Sequence, residues 1–339
     1  MKIALAWQAT EEEAARIRSR LPKNCIVVVP PRRPFVDRLI CDPADLIEIA
    51  RDAEVIMGWL IPRAVILAAS KLQLVSYFHA GCDHLDLKLL QERGVRVANS
   101  SGANAIPVAE HAMAMVLGLG KRLIGHHRAI TNVDYIRLEE GAFYSVELAG
   151  KTLAVVGLGA IGHHIAKRAK AFDMRVLAVK RDPLVDRGVA DEVVGPDRLH
   201  TVLEPAHFVV LSIPLTQETL YLIDDKELRR MRKDAFLVNI SRGQLIREGA
   251  LYQALTEGWI AGFAADVWWD YADTQPSGYH YNVPSRWGIH RLPNVLCSGN
   301  SASNVPEVKY RLLDQGAENI AAFVRGEQAP SLIDLARGY

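Results

Sequence analysis

The sequence predicts an α/β protein of two domains, each built on a parallel β-sheet. The chain has 339 residues and half of them are apolar, which is enough to bury two ordinary cores. Short β-branched runs alternate with stretches of helical periodicity, which is the pattern of βαβ units. The alternation stops at one long apolar stretch and then restarts, which indicates a boundary between two sheets.

Five strands are expected in the first half, followed by one long helix. The strands are KIALAW, CIVVV, EVIMGW, LQLVSYF and VRVAN. Apolar residues at three-to-four spacing in IPVAEHAMAMVLGLGKRLIGHHRAI predict a single, well-buried helix over residues 106–130. A domain boundary is placed just before it, near SSGAN.

Six further strands are expected after Gly150, which predicts the second parallel sheet. They lie in KTLAVVGLGAIG, RVLAVKR, HFVVLSIP, AFLVNIS, GFAADVW and NVLCSG. The final NVPEVKYRLLDQGAENIAAFVRGE has the pattern of an amphipathic helix, and we expect it to return to the first domain.

Composition excludes several classes of partner. Forty basic and 39 acidic residues leave a net charge of +1, so nucleic acid and membrane surfaces are not expected as main partners. No apolar run approaches the roughly 20 residues of a membrane span, and the start turns acidic too early for a signal peptide, so we expect a cytoplasmic protein. Four scattered cysteines without metal-ligand spacing predict reduced thiols and no metal site.

A dinucleotide loop is predicted where the strand KTLAVV runs into a helix. Gly157 permits a tight turn, Gly159 lets the backbone approach a pyrophosphate, and Gly162 lets the helix pack closely on the strand. The helix N-terminus then faces the phosphates. A glycine-rich turn without a ligand is the alternative.

The next strand ends in a basic pair where an NAD-binding protein carries an acidic residue. Lys180 and Arg181 stand about 18 residues past Gly162, and such a pair can bind a 2′-phosphate through charge-assisted hydrogen bonds. NADP is therefore favoured over NAD. Asp182 could still reach a ribose hydroxyl, so NAD stays open.

Several segments, in this order along the chain, resemble the D-2-hydroxyacid dehydrogenases, a group that includes glyoxylate/hydroxypyruvate reductases, phosphoglycerate dehydrogenases and NAD-dependent formate dehydrogenase. They are HAGCDHLDL, RGVRVANSSGANAIPVAEHAMAM, ELAGKTLAVVGLGAIG, SIPLTQETLYLID, LVNISRGQLIREGAL and GFAADVWWD. The resemblance implies two Rossmann-like domains with a cleft between them, hydride transfer, and a homodimer. A flavodoxin-like substrate domain would comprise residues 1–102 and 300–339, and an NAD(P)-binding domain residues 103–299.

The resemblance also implies roles for individual residues. Arg242 would clamp the substrate carboxylate and carbonyl and stabilise developing negative charge. Backbone amides of Ala80, Gly81 and Cys82 would bind the carboxylate, and Asp266 would bind the nicotinamide amide or merely cap its strand. The remaining expected cofactor contacts are Ala160, Ile161, Ile213, Pro214, Thr219 and Ile240.

Two departures concern the acid/base pair. The family's histidine stands in a TPH turn, where this chain has Asn300, and its Glu or Gln partner is matched by Tyr271. An amide cannot exchange a proton near neutral pH. We expect a displaced donor, with Tyr271 ahead of His290. The alternatives are a reaction without a donor, as in formate oxidation, or lost redox chemistry.

Two rival functions stay open at this point. One is a dinucleotide-binding sensor or scaffold, which the retained Arg242 argues against, since such a protein needs no carboxylate clamp. The other is an enzyme that uses a bound dinucleotide as a transient hydride store.

Overall fold

A computed structural model describes residues 1–33, 39, 41–131, 144–269 and 283–339. The chain divides into two units, the first comprising Met1–Asn104 with Val305–Tyr339 and the second Ala105–Asn304. Each unit contains one parallel sheet with helices, so the predicted fold class is confirmed. The roles assigned to the two halves stay predictions.

The first unit contains a five-stranded sheet in the order β2-β1-β3-β4-β5, which is the flavodoxin-like order. The strands are β1 Lys2–Leu5, β2 Ile26–Val28, β3 Val55–Gly58, β4 Leu74–Tyr77 and β5 Arg96–Ala98. Its helices are α1 Glu11–Arg18, α2 Pro43–Ala50, α3 Arg63–Ala68, α4 Leu87–Glu92 and, from the C-terminal segment, α11 Pro306–Val324.

Helix α11 packs closely on the sheet of the first unit. A Cβ atom on Gly316 would lie 2.6 Å from side-chain atoms of Met57 and Phe78, so only glycine allows this approach. The Ser76 hydroxyl donates to the Gly316 carbonyl at 3.1 Å, and the buried Asn319 amide donates to the Asn99 carbonyl at 3.1 Å. The chain's last helix is therefore part of the core formed by its first hundred residues.

The second unit contains a seven-stranded sheet in the order β12-β11-β10-β9-β6-β7-β8. Counted from β6, this is the doubly wound order 3-2-1-4-5-6 with one more strand. The strands are β6 Thr152–Val156, β7 Arg175–Val179, β8 Glu192–Val194, β9 Phe208–Leu211, β10 Phe236–Asn239, β11 Gly262–Ala265 and β12 Val295–Cys297. The helices are α5 Ala105–Gly120, α6 Leu123–Thr131, α7 Ala160–Ala171, α8 Leu199–Leu203, α9 Asp225–Arg230 and α10 Glu248–Thr256.

The prediction of one long helix over 106–130 is wrong, because the structure has two. Helix α5 ends at Gly120, and Arg122 has φ of +50°, a left-handed conformation that interrupts a helix. Eleven residues of α5 are buried, whereas no residue of α6 is. The apolar periodicity therefore marks a buried face in α5 but not in α6. A Cβ on Gly120 would lie 3.2 Å from the Phe208 ring, which shows how closely α5 approaches the sheet before it ends.

Strand β8 was not expected from the sequence. It has three residues, two of them buried, and it pairs only with β7 at the edge of the sheet among the described strands. A segment this short carries too little alternation to be separated from a loop.

Candidate active site

Most of the predicted functional residues that the structure describes in the second unit lie at one edge of its sheet. Because all its strands are parallel, the residues that follow β6, β7, β9, β10, β11 and β12 meet at the same edge. From β6 the chain first adds β7 and β8 on one side and then returns to add β9 on the other side, so the strand order reverses next to β6. Ligands of open α/β sheets bind at such a switch point.

The glycine loop, residues 157–162, fits the dinucleotide prediction. Gly157 has φ of +106°, and a Cβ there would lie 2.4 Å from the Ile213 side chain. A Cβ on Gly162 would lie 2.1 Å from the Gly157 carbonyl oxygen, whereas one on Gly159 would meet nothing within 4 Å. Two glycines are therefore required by the protein's own packing, and the third borders open space.

That open space lies at the N-terminus of α7. Gly159 is the N-cap residue, and as a glycine it has no side chain to cap this end of the helix. Backbone N–H groups of the first turn, beginning with Ala160 and Ile161, are thus available to an anionic group, and the helix dipole favours one there. A pyrophosphate suits this arrangement.

The turn after β9 is held against the glycine loop. The Ser212 hydroxyl donates to the Gly157 carbonyl at 2.6 Å, and Ile213 follows it. The Thr219 hydroxyl donates to the Pro214 carbonyl at 2.8 Å and so closes the turn. Ile213, Pro214 and Thr219 thereby have fixed positions beside the glycine loop, although their contact with a cofactor stays a prediction.

The basic pair after β7 is divided between two environments. The Lys180 ammonium donates to the carbonyls of Val185 and Asp186 at 2.8 and 2.9 Å, so this side chain holds the loop that follows it. The Arg181 guanidinium is 47% exposed and lies 3.4 Å from the Glu218 carboxylate, which is 79% exposed. The two cations are therefore not equivalent, although the sequence alone assigned them the same role.

Arg242 follows β10 in a turn that other side chains hold. The Asn239 amide donates to the Arg242 carbonyl at 2.8 Å, and the Ser241 hydroxyl donates to the Leu211 carbonyl at 3.0 Å. A Cβ on Gly243 would lie 2.4 Å from the Trp268 backbone, which fixes the path of the chain after the arginine. The half-buried Arg242 donates to the Ser241 carbonyl at 2.9 Å. Ile240, next to this turn, is 7% exposed.

Asp266, after β11, organises the turn of residues 298–302 that follows β12, which we call the serine turn. One carboxylate oxygen, Oδ1, accepts from the Ser298 hydroxyl at 2.5 Å and the Ser301 amide at 2.9 Å. The other, Oδ2, accepts from the Ala302 amide at 2.9 Å, and the Asp266 carbonyl accepts from the Asn300 amide at 2.7 Å. The side chain is 4% exposed, so this carboxylate acts as the buried centre of the serine turn.

Asn300 is exposed at the tip of the serine turn. Its φ is +53°, in the left-handed region that asparagine adopts more readily than most residues. Asparagine is thus a residue type that suits the backbone at this position, and its correspondence to the expected histidine stays a prediction.

One histidine reaches the serine turn from another element, and the sequence analysis missed it. His111 on α5 places Nε2 2.8 Å from the Ser298 Oγ and 3.6 Å from the Asp266 Oδ1. The side chain is 27% exposed. The separation of 187 residues between His111 and Ser298 hides the contact from any local pattern. The sequence signal was only a polar residue beside the buried face of a long apolar helix.

The other predicted groups have different outcomes. Tyr271 lies outside the described residues. The His290 ring lies edge-on to the Trp268 ring, and its backbone carbonyl accepts from the Cys297 thiol at 3.4 Å. Its Nδ1 is buried without a hydrogen-bond partner among the described residues.

In the first unit, Ala80, Gly81 and Cys82 follow β4. The Asn99 amide donates to the Ala80 carbonyl at 2.7 Å, and Cys82 is buried. Their role as substrate contacts stays a prediction.

Within the parts of the chain that the structure describes, no three His, Cys, Asp or Glu side chains are grouped to hold a metal ion. Over the same residues, no helix is long and apolar enough to cross a membrane.

Comparison with known proteins gives consistent matches. Residues 113–298 match the family model for the NAD-binding domain of the D-isomer specific 2-hydroxyacid dehydrogenases. A glyoxylate reductase of Korarchaeum cryptofilum is 33% identical over 296 residues, which is 85% of each chain. The crystal structure of a protein from Thermus thermophilus has a TM-score of 0.74 at 26% identity, covering 98% of this chain and all of that one. An NADPH-dependent glyoxylate/hydroxypyruvate reductase of Sinorhizobium meliloti has a TM-score of 0.76 at 24% identity, covering 98% of both chains.

Proposed function

Since this chain belongs to the D-isomer specific 2-hydroxyacid dehydrogenase family, as its motifs predict, we propose that it transfers a hydride between NAD(P)(H) and a small 2-oxo or 2-hydroxy acid of the glyoxylate class. Membership makes it an NAD(P)-dependent oxidoreductase that acts on CH–OH groups. The observation that carries the substrate class is the position of Arg242 at the same sheet edge as the glycine loop. Strands β6 and β10 are separated by one strand, so their ends lie about 10 Å apart.

The cofactor, when bound, supplies or accepts the hydride. Gly157, Gly159 and Gly162 shape its loop, and the first turn of α7 with Ala160 and Ile161 faces the pyrophosphate. Ile213, Pro214, Thr219 and Ile240 line the path from β9 to β10, and Asp266 stands where the nicotinamide end is expected. These roles rest on position at the sheet edge and on the family motifs.

NADP is the preferred cofactor in this proposal. Lys180 holds the carbonyls of the following loop, so Arg181 is the residue that would bind the 2′-phosphate through its planar donors. Lys180 contributes by fixing the position of that loop.

Arg242 binds the substrate. A guanidinium presents parallel N–H donors to a carboxylate, and it can stabilise the negative charge that forms on the carbonyl oxygen during reduction. Backbone amides of Ala80, Gly81 and Cys82 are proposed to bind the same carboxylate. Asn300 holds the carbonyl oxygen through its amide, and a displaced group supplies the proton, for which Tyr271 is the candidate from sequence.

We also propose a cytoplasmic homodimer. Helix α6 has no buried residue in the single chain, and it carries Leu123, Ile124 and Ile130 with exposures of 56%, 39% and 66%. A second copy that covers these side chains would remove apolar surface from water.

The experiment is a screen of purified protein on 2-oxo acids and formate with NADPH and NADH, accompanied by Arg242→Lys. A lysine lacks the planar fork, so turnover should fall about 100-fold or more while calorimetric affinity for NADPH stays within about threefold. Arg93→Lys, a change in the first unit at an arginine that binds helix carbonyls, is the matched control. Unimpaired turnover in Arg242→Lys would remove the clamp, and no turnover of wild type on any acid would favour the sensor.

A further inference from the structure

We propose that Ser298 and His111 form the proton path of this site, with Ser298 as the catalytic donor to the substrate oxygen and His111 as the residue that positions and recharges it. The inference rests on the proposed function, because a proton is needed only if a 2-oxo acid is reduced there. It assigns the missing donor to two residues that the family motifs do not identify.

The hydrogen bonds around Ser298 determine the direction in which protons are donated. A hydroxyl has one proton, and an ionised carboxylate only accepts, so the 2.5 Å contact has Ser298 donating to the Asp266 Oδ1. The 2.8 Å contact must then have His111 Nε2–H donating to the Ser298 oxygen. The imidazole, hydroxyl and carboxylate thus form an ordered chain in which each member donates to the next.

The Asp266 carboxylate keeps hydrogen bonds to the serine turn without the one from the Ser298 hydroxyl. Its Oδ1 also accepts from the Ser301 amide and its Oδ2 from the Ala302 amide, both at 2.9 Å. These bonds persist if the Ser298 hydroxyl turns toward another acceptor. The carboxylate therefore holds the serine turn while the serine is released to act.

The charged groups around His111 come from α5, from α7 and from Asp266. Asp266 is the one acidic group within 4 Å of its imidazole among the described residues. On the same helix, Glu110 pairs with Arg168 of α7 at 2.7 Å, which leaves that carboxylate balanced. Burial first, and then Arg168, lower the pKa of the nearby His164 on α7, so this second imidazole stays neutral near pH 7.

The other titratable groups on elements packed against α5 are few. Strands β10 and β11 carry none within their limits, and β12 ends in Cys297. The remaining ones lie on α6 and α7 and are His126, His127, Arg128, His163, Lys167 and Lys170. Within the described part of the chain, the His111 imidazole has its hydrogen bond with Ser298 and its ion pair with Asp266, and neither of these partners lies on α6 or α7.

The bound reduced cofactor would supply a hydride to the carbonyl carbon of the substrate, and the carbonyl π pair would move to oxygen. That oxygen takes the Ser298 hydroxyl proton, and the serine oxygen takes the Nε2 proton of the His111 imidazolium. The imidazole is left neutral and recovers a proton from solvent, to which it is 27% exposed. Oxidation of the hydroxy acid runs the same transfers in reverse.

The alternative donors have weaker structural support. His290 contacts Trp268 and Cys297 rather than Asp266 or the serine turn. Tyr271 is outside the described residues and enters the test as a variant.

The test is the pH dependence of single-turnover reduction in wild type, His111→Gln, Ser298→Ala and Ser298→Thr. If the path is correct, wild-type reduction falls as pH rises, because the protonated His111 imidazole is the proton source. Glutamine keeps an N–H donor for Ser298 but cannot titrate. His111→Gln should therefore react at least about 100-fold more slowly at pH 6 and lose this fall. Ser298→Ala should do the same, and Ser298→Thr should keep both rate and pH profile.

His200→Gln is the control, since His200 is exposed on α8 and is no part of the serine turn or of the glycine loop. Calorimetric NADPH affinity and circular dichroism should be unchanged in every variant. A His111→Gln enzyme with the wild-type rate and profile overturns the path while leaving the proposed function standing. The same holds if the fall disappears only in Tyr271→Phe. Absence of wild-type turnover overturns the proposed function, and the path with it.

Discussion

The glycine loop after β6 takes its shape because its glycines have no side chains, whereas the serine turn after β12 is held by hydrogen bonds from residues distant in sequence. Gly157 and Gly162 leave space for a carbonyl oxygen and for Ile213, all within a few residues or one neighbouring strand. The serine turn depends on Asp266 from β11 and His111 from α5. The half of the site expected to bind the cofactor is thus encoded locally, and the half expected to do chemistry is encoded by tertiary contacts.

The largest effect is expected from adding a single methyl group to the glycine loop. In Gly162→Ala the new Cβ would lie 2.1 Å from the Gly157 carbonyl oxygen, so helix α7 must move away from β6. We expect a loss of about 3 kcal/mol in the free energy of unfolding, measured by urea denaturation, and a loss of NADPH binding.

Gly159→Ala is the matched control for that prediction. Its Cβ would meet nothing within 4 Å, so stability should change by less than about 1 kcal/mol, while a methyl group that faces the pyrophosphate should still weaken NADPH binding. Equal stability losses in the two variants would show that packing in the loop is not what distinguishes its glycines.

The next effect concerns the centre of the serine turn. Asp266→Asn replaces one carboxylate oxygen by an NH₂ group, which must then face a donor: either Ser298 and Ser301, or the Ala302 amide. We expect a loss of about 2 kcal/mol in unfolding free energy from this buried mismatch. Asp197→Asn, at an exposed position in the same unit, should have no such effect. A stable Asp266→Asn protein would contradict the central role of the carboxylate.

The sequence predicted the strands and the form of the glycine loop better than the contacts of the serine turn, for physical reasons. The β-branched runs that predict parallel strands lie within short stretches of sequence. The same holds for the glycine motif, because local steric contacts set its spacing. The break after Gly120 was missed because apolar periodicity continues through Leu123 and Ile124, which are exposed at 56% and 39%. His111 was missed because its partner is 187 residues away, and the different tasks of Lys180 and Arg181 depend on loop carbonyls that no motif records.

A smaller effect should separate those two cations. Arg181→Ala should weaken NADPH binding about tenfold, or about 1.4 kcal/mol, and leave NADH affinity unchanged, because only NADPH carries the 2′-phosphate. Lys180→Ala should instead weaken both cofactors alike, since it releases the carbonyls of Val185 and Asp186. Calorimetric titration of both variants with both cofactors measures this. If Arg181→Ala leaves NADPH affinity unchanged, the preference for NADP has another origin.

The smallest effect is expected where family resemblance would predict the largest gain. Asn300→His places an imidazole where we expect the family's histidine, and histidine tolerates the φ of +53° at this position, so the fold should be preserved. An imidazole needs a carboxylate partner to orient and charge it. We expect Tyr271 in place of the family's Glu, and both oxygens of Asp266 already accept from the serine turn. We therefore expect less than about a threefold change in single-turnover rate, and a larger rise only when Tyr271→Glu is added. A tenfold gain from Asn300→His alone would show that the chemistry of the serine turn is as local as the sterics of the glycine loop.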